Sequence, residues 1–491
     1  MRAAVLLLML PVFSLAAYAQ MRTVVLPGKS QVVTLRLVFT TGSAQDPADK
    51  PGVAHLTASM LSDGGSKDMT YAQLVDAFFP MAAGVGSQVD HEMTTFFGAT
   101  HIDNLDAYYK LFHAMLLEPG WREEDFQRLK DNAINALKVG LRGNNDEELG
   151  KEVLLSELYR GTPYGHYSGG TLSALQKITL NDVKEFYKQH YTQSNLIIGL
   201  AGGYPPEFLE RVRKSFAILP LKASAQVAAI HPPAIEHTRA TIVEKNTRSV
   251  AYSFGFPLDV RRGDPDYPAL LVAQSYLGQH RAGGRLFERI REARGLNYGD
   301  YAYIEYFPGG GFRMEAPPNV ARTSQAFQIW IRPVEPPQAP FALRLAFYEL
   351  DKLVKDGIPE NDFERTRNYL SQYVNVLTKT KRAELGYAID SLYYGIPNYN
   401  SYIKNALVKL TREQVNEAIR KHLRVDRVQI VAVSPKGGEL KRQLVGAGPS
   451  PIAYNSPKPP EILAEDKIAG AFDLGLRPED VIIVPLEKIF E

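Results

Sequence analysis

The sequence predicts an α+β protein built from two homologous α/β-layer domains in tandem. Each would be a mostly antiparallel sheet with helices packed on one face, the pair arising by internal duplication. Three observations lead there. Between Arg22 and Gly202 the order strand, helix, strands, helices, strand lacks a regular βαβ alternation. Residues 219–238 then lose periodicity and gather prolines, the signature of a linker. Beyond them the same signals return in the same order. Asp264-Pro265 repeats the turn at Asp46-Pro47, and Asp362-Phe363-Glu364-Arg365 echoes Asp125-Phe126-Gln127-Arg128. Likewise, Thr411 within Lys409–Val415 echoes Thr179 within Lys177–Val183, and an apolar strand follows each. The expected divisions are a signal peptide at 1–19, a first domain at 20–220, a linker at 221–238, a second domain at 239–440 and a C-terminal extension at 441–491.

Taken in order, Val24, Val32, Leu35, Leu37 and Phe39 predict a two-stranded hairpin turning at Pro27-Gly28-Lys29-Ser30. Val53, Leu56, Met60 and Leu61 recur at helical spacing, so 52–61 is a helix with one buried face. His55 and Ser59, four residues apart, share another face of it. Thr70 caps a helix to Phe79, and 83–100, rich in Gly, Thr and Phe, reads as strands. Helices are expected at 104–117 and 123–141, with another beginning at 144–148, followed by a loop at 159–165. Thr179 caps a helix to Tyr191, and Leu196–Gly202 is an apolar strand. In the second half Val250–Pro257 alternates as a strand before the turn at Gly263–Pro268. The extension is proline-rich to Pro460 and contains a short strand candidate at 480–486 that needs something to cover it.

Composition bounds the chemistry. A net charge of +2 over 491 residues gives no basic surface for nucleic acid or anionic membrane. With 0 cysteines, disulfides, thiolate catalysis and Cys-ligated metals are excluded. Arg2, the apolar run Val5–Leu10 and Ala17-Tyr18-Ala19 form a cleavable signal peptide, which implies a periplasmic or secreted protein with no membrane span after cleavage.

Gly42-Ser43, Asp46-Pro47, Gly52-Val53-Ala54-His55 and the loop at Pro163-Tyr164-Gly165 stand in an order that resembles the pitrilysin, insulinase and mitochondrial processing peptidase family of zinc metallopeptidases. The resemblance spans about residues 22 to 440. It implies zinc bound by the two histidines of an H-x-x-E-H motif and a downstream glutamate, with the motif's glutamate as general base. Here the corresponding positions are His55, Ala58, Ser59 and Ala136. A catalytic zinc needs about three protein ligands and an open position, and alanine takes no proton from water. The motif is therefore degenerate, and no metal is expected in this chain. Asp131, five residues before Ala136, should point elsewhere on its helix, and His91 with Glu92, in an expected strand, is a weak substitute pair.

The second half keeps other family features. Within Gly283–Tyr298, Arg291 and Tyr298 have the seven-residue spacing of the family's arginine–tyrosine pair, in an Arg-Leu-Phe and Arg-Gly-Leu-x-Tyr context. The resemblance implies that these two residues face a zinc site. A guanidinium can hold a peptide carbonyl, and a phenol can donate to a tetrahedral oxyanion. The expected function is thus the non-zinc subunit of a heterodimeric metallopeptidase, catalytic through Arg291 and Tyr298. Zinc would sit in a homologous partner with an intact H-x-x-E-H motif, and the substrate would be an unfolded peptide added as a strand to a sheet edge, for which 83–89 is this chain's candidate. A catalytically silent peptide-binding or scaffolding protein and an independently active peptidase with unfamiliar ligands remain the alternatives.

Overall fold

A computed structural model describes residues 21–222, 229–279, 283–308, 315–446 and 448–491. The expected signal peptide at 1–19 lies outside the described residues, as does 223–228 of the expected linker. The first half contains strands β1 (Arg22–Pro27), β2 (Val32–Phe39), β3 (Gly86–Val89), β4 (Thr94–His101) and β5 (Leu196–Gly202). Its helices are α1 (Val53–Asp63), α2 (Tyr71–Phe78), α3 (Leu105–Leu117), α4 (Glu123–Asn135), α5 (Asp146–Leu158), α6 (Leu172–Lys177), α7 (Leu180–His190) and α8 (Phe208–Phe216). The second half contains β6 (Arg239–Glu244), β7 (Val250–Leu258), β8 (Asp300–Tyr303), β9 (Gln325–Val334) and β10 (Gln429–Ser434). Its helices are α9 (Tyr267–Gln274), α10 (Ala339–Asp356), α11 (Glu360–Leu377), α12 (Lys381–Tyr394), α13 (Tyr399–Lys409), α14 (Arg412–His422) and α15 (Gly437–Val445), and the extension adds α16 (Pro460–Gly470) and β11 (Val481–Pro485).

The two sheets share one topology. The first runs β1-β5-β2-β4-β3 and the second β6-β10-β7-β9-β8, with β11 added outside β6. In both, the first and last strands of the half pair in parallel and the other core pairings are antiparallel. The capping threonines match as well. Thr179 and Thr411 each close a capping box at the start of α7 and α14, the helices that lead into β5 and β10. Internal duplication accounts for both correspondences.

The predicted hairpin at 22–40 does not form. β5 lies between β1 and β2, parallel to β1 and antiparallel to β2. The physical reason is burial. Every residue of Leu196–Gly202 is buried, which suits an interior strand, whereas β1 is half-buried and takes the edge. The strand candidate at 480–486 finds its cover by pairing in parallel with β6.

Helices on one face describe only part of each layer. On the inner face of the second sheet Phe254 of β7 stacks on Phe347 of α10 at 4.6 Å. The neighbouring Ser253 faces the other way, towards Gly150 of α5, a helix of the first half. The exchange is reciprocal. Val38, Ile197 and Ala201 of the first sheet form a small core with Leu385 and Ile389 of α12, a helix of the second half. Gly199 permits this approach, since a Cβ there would stand 2.8 Å from the Ile389 side chain. The two halves are thus interlocked through one exchanged helix each. No helix among the described residues is long and apolar enough to cross a membrane.

Candidate functional site

Helix α1 is built as a core element. Val53, Ala54, Leu56, Thr57, Ala58, Met60, Leu61 and Ser62 are all buried, and the helix packs on α4 and α7. Its N-terminal amides are satisfied from upstream. Asp46 accepts from Gly52 N at 2.6 Å and Ala54 N at 2.8 Å, and His166 Nε2 lies 3.3 Å from the same carboxylate. Burial pushes the Asp46 carboxyl up, against the opposing pull of His166 and the two amides. Gly52 takes a left-handed φ of 103° and packs on Gly170, where a Cβ would meet Gly170 Cα at 2.9 Å.

His55 and Ser59 are the half-buried residues between these buried neighbours, so they share the remaining face as the spacing predicts. Burial lowers the His55 pKa, with Asp46 and Asp63 opposing. Ala58 is buried, whereas Ala136 is exposed at the point where α4 passes into a π-helical stretch, Ala136–Gly143. α1 packs on α4, at whose end Ala136 stands, but Ala58, Ser59 and Ala136 offer no second histidine, no base and no glutamate. Among the described residues no three His, Cys, Asp or Glu side chains are grouped to hold a metal ion.

The substitute ligands considered above are engaged elsewhere. Asp131 is exposed on α4 and accepts from Gln127 Nε2 at 2.9 Å. His91 and Glu92 lie in the turn joining β3 to β4 rather than in a strand. His91 Nδ1 is 2.7 Å from Ser43 Oγ, and the ring stacks on Tyr164 at 4.6 Å. Burial, with Arg322 and His166 adding to it, holds its pKa well below the usual range, so it is neutral. Glu92 accepts from the hydroxyls of Tyr164 and Tyr393 and from the amide and hydroxyl of Thr323. Both residues belong to the joint between the halves. Beside them Arg322 Nε bonds Asp90 Oδ2 at 3.0 Å, and the guanidinium lies 3.5 Å over the Tyr306 ring. Sequence reasoning missed Arg322, because nothing local marks one arginine as the partner of an aspartate in the other half.

The segment with Arg291 and Tyr298 lies at the surface of the second half. A π-helical turn, Phe287–Glu292, carries Arg291, whose guanidinium sits 5.2 Å over the Phe287 ring and pairs with Glu292. Tyr298 is 78% exposed. Between them Gly295 turns the chain with φ 72°. Asn297 is buried, donating from Nδ2 to Asp300 Oδ1 at 2.7 Å and to Arg332 O at 3.2 Å. Burial raises the Asp300 carboxyl well above its ordinary value, with Asn297 and Arg332 opposing.

The four arginines of this stretch divide sharply. Arg285 bonds Glu349, Arg289 bonds Glu465, and Arg294 bonds both Glu465 and Asp466, so three turn inward. Among the described residues Arg291 pairs with its surface neighbour Glu292 alone, and it keeps a side-chain exposure of 40%. Edge strand β3 is half-buried along its length and is tied to α1 by Ser87 and Ser62 hydroxyls 3.0 Å apart.

Comparison with known proteins fits this geometry. A family profile described as insulinase (peptidase family M16) matches residues 23–171, and one described as peptidase M16 inactive domain matches residues 177–370. The chain is 22% identical over 415 residues to the non-peptidase homolog YmxG of Helicobacter pylori, covering 82% of this chain and 89% of that one. A solved peptidase M16 inactive domain from Pseudomonas fluorescens superposes with a TM-score of 0.74 at 25% identity, covering 85% of this chain and 96% of that chain. The first half of the Escherichia coli periplasmic protease PqqL superposes at 0.66 with 15% identity, covering 92% and 95%. The duplicated layers, the stripped α1 face and the two adjoining profile matches lead to one conclusion: the chain belongs to the insulinase family, peptidase family M16.

Proposed function

We propose that this chain is the non-zinc subunit of a heterodimeric M16 metallopeptidase and lends Arg291 and Tyr298 to a peptide bound at its partner's zinc. One observation carries the reading: Tyr298 is 78% exposed and Arg291 is the arginine of its stretch not turned inward, while the α1 face has lost the residues that would hold metal. A surface phenol and guanidinium held on a folded segment, with no acid–base group of their own to cut a peptide, suit a donor of binding and oxyanion contacts. Arg291 would hold a carbonyl of the peptide by paired N–H donors. The Tyr298 hydroxyl would donate to the oxygen that becomes negative, a contribution of about 3 kcal/mol for comparable donors. Zinc, bound by the partner's intact H-x-x-E-H, would supply the activated water.

The partner is then a homologous exported chain, and the substrate an unfolded peptide that adds to a sheet edge such as β3. The periplasm is the proposed compartment, and the division at 221–238 the proposed domain boundary. In the complex purified with its zinc-bearing partner, Arg291→Ala with Tyr298→Phe should lower kcat about 100-fold or more. Peptide cleavage at the wild-type rate would leave a silent binding or scaffolding role instead.

A further inference from the structure

The C-terminal extension, beyond the expected second domain, ends up against the Arg291–Tyr298 segment. Arg294 has no side-chain exposure, yet it is a full cation. Its Nε donates to Asp466 Oδ1 at 2.8 Å and its Nη2 to Glu465 Oε2 at 2.7 Å, both on α16. Glu465 also takes Arg289, and Lys458 Nζ donates to Ala293 O at 2.9 Å. Tyr454 closes the cluster from the extension's own side, donating to Asp466 Oδ2 at 2.7 Å. The extension is in turn anchored on the body of the protein, where Arg344 of α10 donates from Nε to Ser450 Oγ at 3.0 Å.

These contacts fall on both flanks of Arg291. We infer that α16 is a positioning element for the reaction: Glu465 and Asp466, acting through Arg289 and Arg294, fix the segment so that Arg291 and Tyr298 point outward at a set distance from the body. The inference rests on the proposed lending of that pair. The physical basis is the cost of an unpaired buried charge. Without its two carboxylates Arg294 keeps only neutral acceptors such as Arg289 O, and its charge favours a swing of residues 287–298 towards water. Arg291 and Tyr298 move with them, and a displacement near 1 Å at a reacting centre is enough to cost about 100-fold in rate.

The test uses the full chain carrying Glu465→Gln with Asp466→Asn, which keep the shape of α16 and remove its charge. Amide exchange in 287–298 should rise at least tenfold while α1 and β2 keep their protection. In the complex with the zinc-bearing partner kcat per folded complex should fall at least tenfold with KM within about twofold, and the retained protection of α1 and β2 shows that the fall is not loss of folded protein. Asp466→Asn alone, a milder change, should shift both readings the same way by less. Unchanged exchange in 287–298 overturns the inference outright. So does raised exchange with unchanged kcat, provided Arg291→Ala with Tyr298→Phe does lower kcat. If that double variant has wild-type kcat, the lent pair itself is wrong and the positioning role falls with it.

Discussion

Helix α1 and the segment from Arg285 to Tyr298 hold corresponding importance in the two halves but are kept in place by opposite means. α1 is held by its own half. Most of its 11 residues are buried, and its N-terminal donors close on Asp46, a few residues upstream. The later segment is a surface π-helical turn and loop, held by carboxylates from α10 and α16. The difference explains what each region could lose. Replacing ligands on α1 leaves its buried face intact, so the helix persists without its chemistry. The proposed chemistry of the later segment would depend on a separate brace, and its carboxylate partners on α10 and α16 are in place.

Both regions sit on one interlocked body, and the largest effect is expected where that interlock is charged. Arg322 is buried between the halves against Asp90 and the Tyr306 ring. Arg322→Ala leaves a buried carboxylate without its partner and should cost about 3–5 kcal/mol in urea unfolding. Asp90→Asn with Arg322→Met should recover much of that. The exchanged helices α5 and α12 require the loss to appear in one transition for both halves. Two separate transitions, with only one of them moved, would show that α1 and the Arg291 segment belong to independent units.

Whether α1 and α4 still stand in ligand geometry can be tested by putting ligands back. Ser59→His with Ala136→Glu adds two ligands beside His55 and leaves Ala58 unchanged. Such a chain should bind one zinc ion by elemental analysis and gain about 3 kcal/mol of stability at free zinc 100-fold above Kd. It should not cleave peptides alone, because Ala58 offers no base. Failure to take up zinc would mean that α1 and α4 no longer stand in ligand geometry, and that the first region lost shape as well as side chains.

Much of the comparison is readable in the sequence, for local reasons. The α1 face follows from helical spacing, and the paired caps at Thr179 and Thr411 from side chains bonding amides three residues on. Position within a sheet is not local. Leu196–Gly202 is apolar on both faces, so no alternation shows whether it lies beside β1 or between β1 and β2, and the expected hairpin follows from that ambiguity. Nor does an amphipathic pattern name the surface it covers, which hides the exchange of α5 and α12. The brace was least accessible: Arg294 and Asp466 lie 172 residues apart, and each alone reads as a solvated charge.

A smaller, pH-dependent effect belongs to the joint. Glu152, on the exchanged α5, accepts from Tyr306 OH at 3.0 Å. Burial, and next the charge of Glu148, push its carboxyl up to about 7, with Arg322, Tyr306 and Lys151 opposing. The folded state therefore holds a proton that the unfolded state has released at such pH. Stability from this group is complete below about pH 4.5 and is lost as pH rises towards 7. Glu152→Gln removes the loss, so the variant should gain about 1–3 kcal/mol on the wild type between pH 5 and pH 8 in urea unfolding. A constant difference across that range would mean Glu152 is ionised throughout, and that the joint tolerates its charge.

The smallest stability effect is expected where the proposed chemistry is greatest. Tyr298 is 78% exposed, and among the described residues the side-chain partners of Arg291 are Phe287 and Glu292 on its own turn. Neither is a packing residue, so Tyr298→Phe and Arg291→Ala should each change stability by no more than about 0.5 kcal/mol. Measured beside kcat of the assembled complex, that near-silence separates the two regions. On α1 the buried residues serve the fold, so substitutions there should act on stability. In the Arg291 segment the proposed roles give positioning to the brace and partner contacts to the exposed pair, so substitution of the pair should act on rate alone. A loss of 2 kcal/mol or more at Tyr298 would place it among the structural residues, and the division of roles between the halves would then have to be drawn elsewhere.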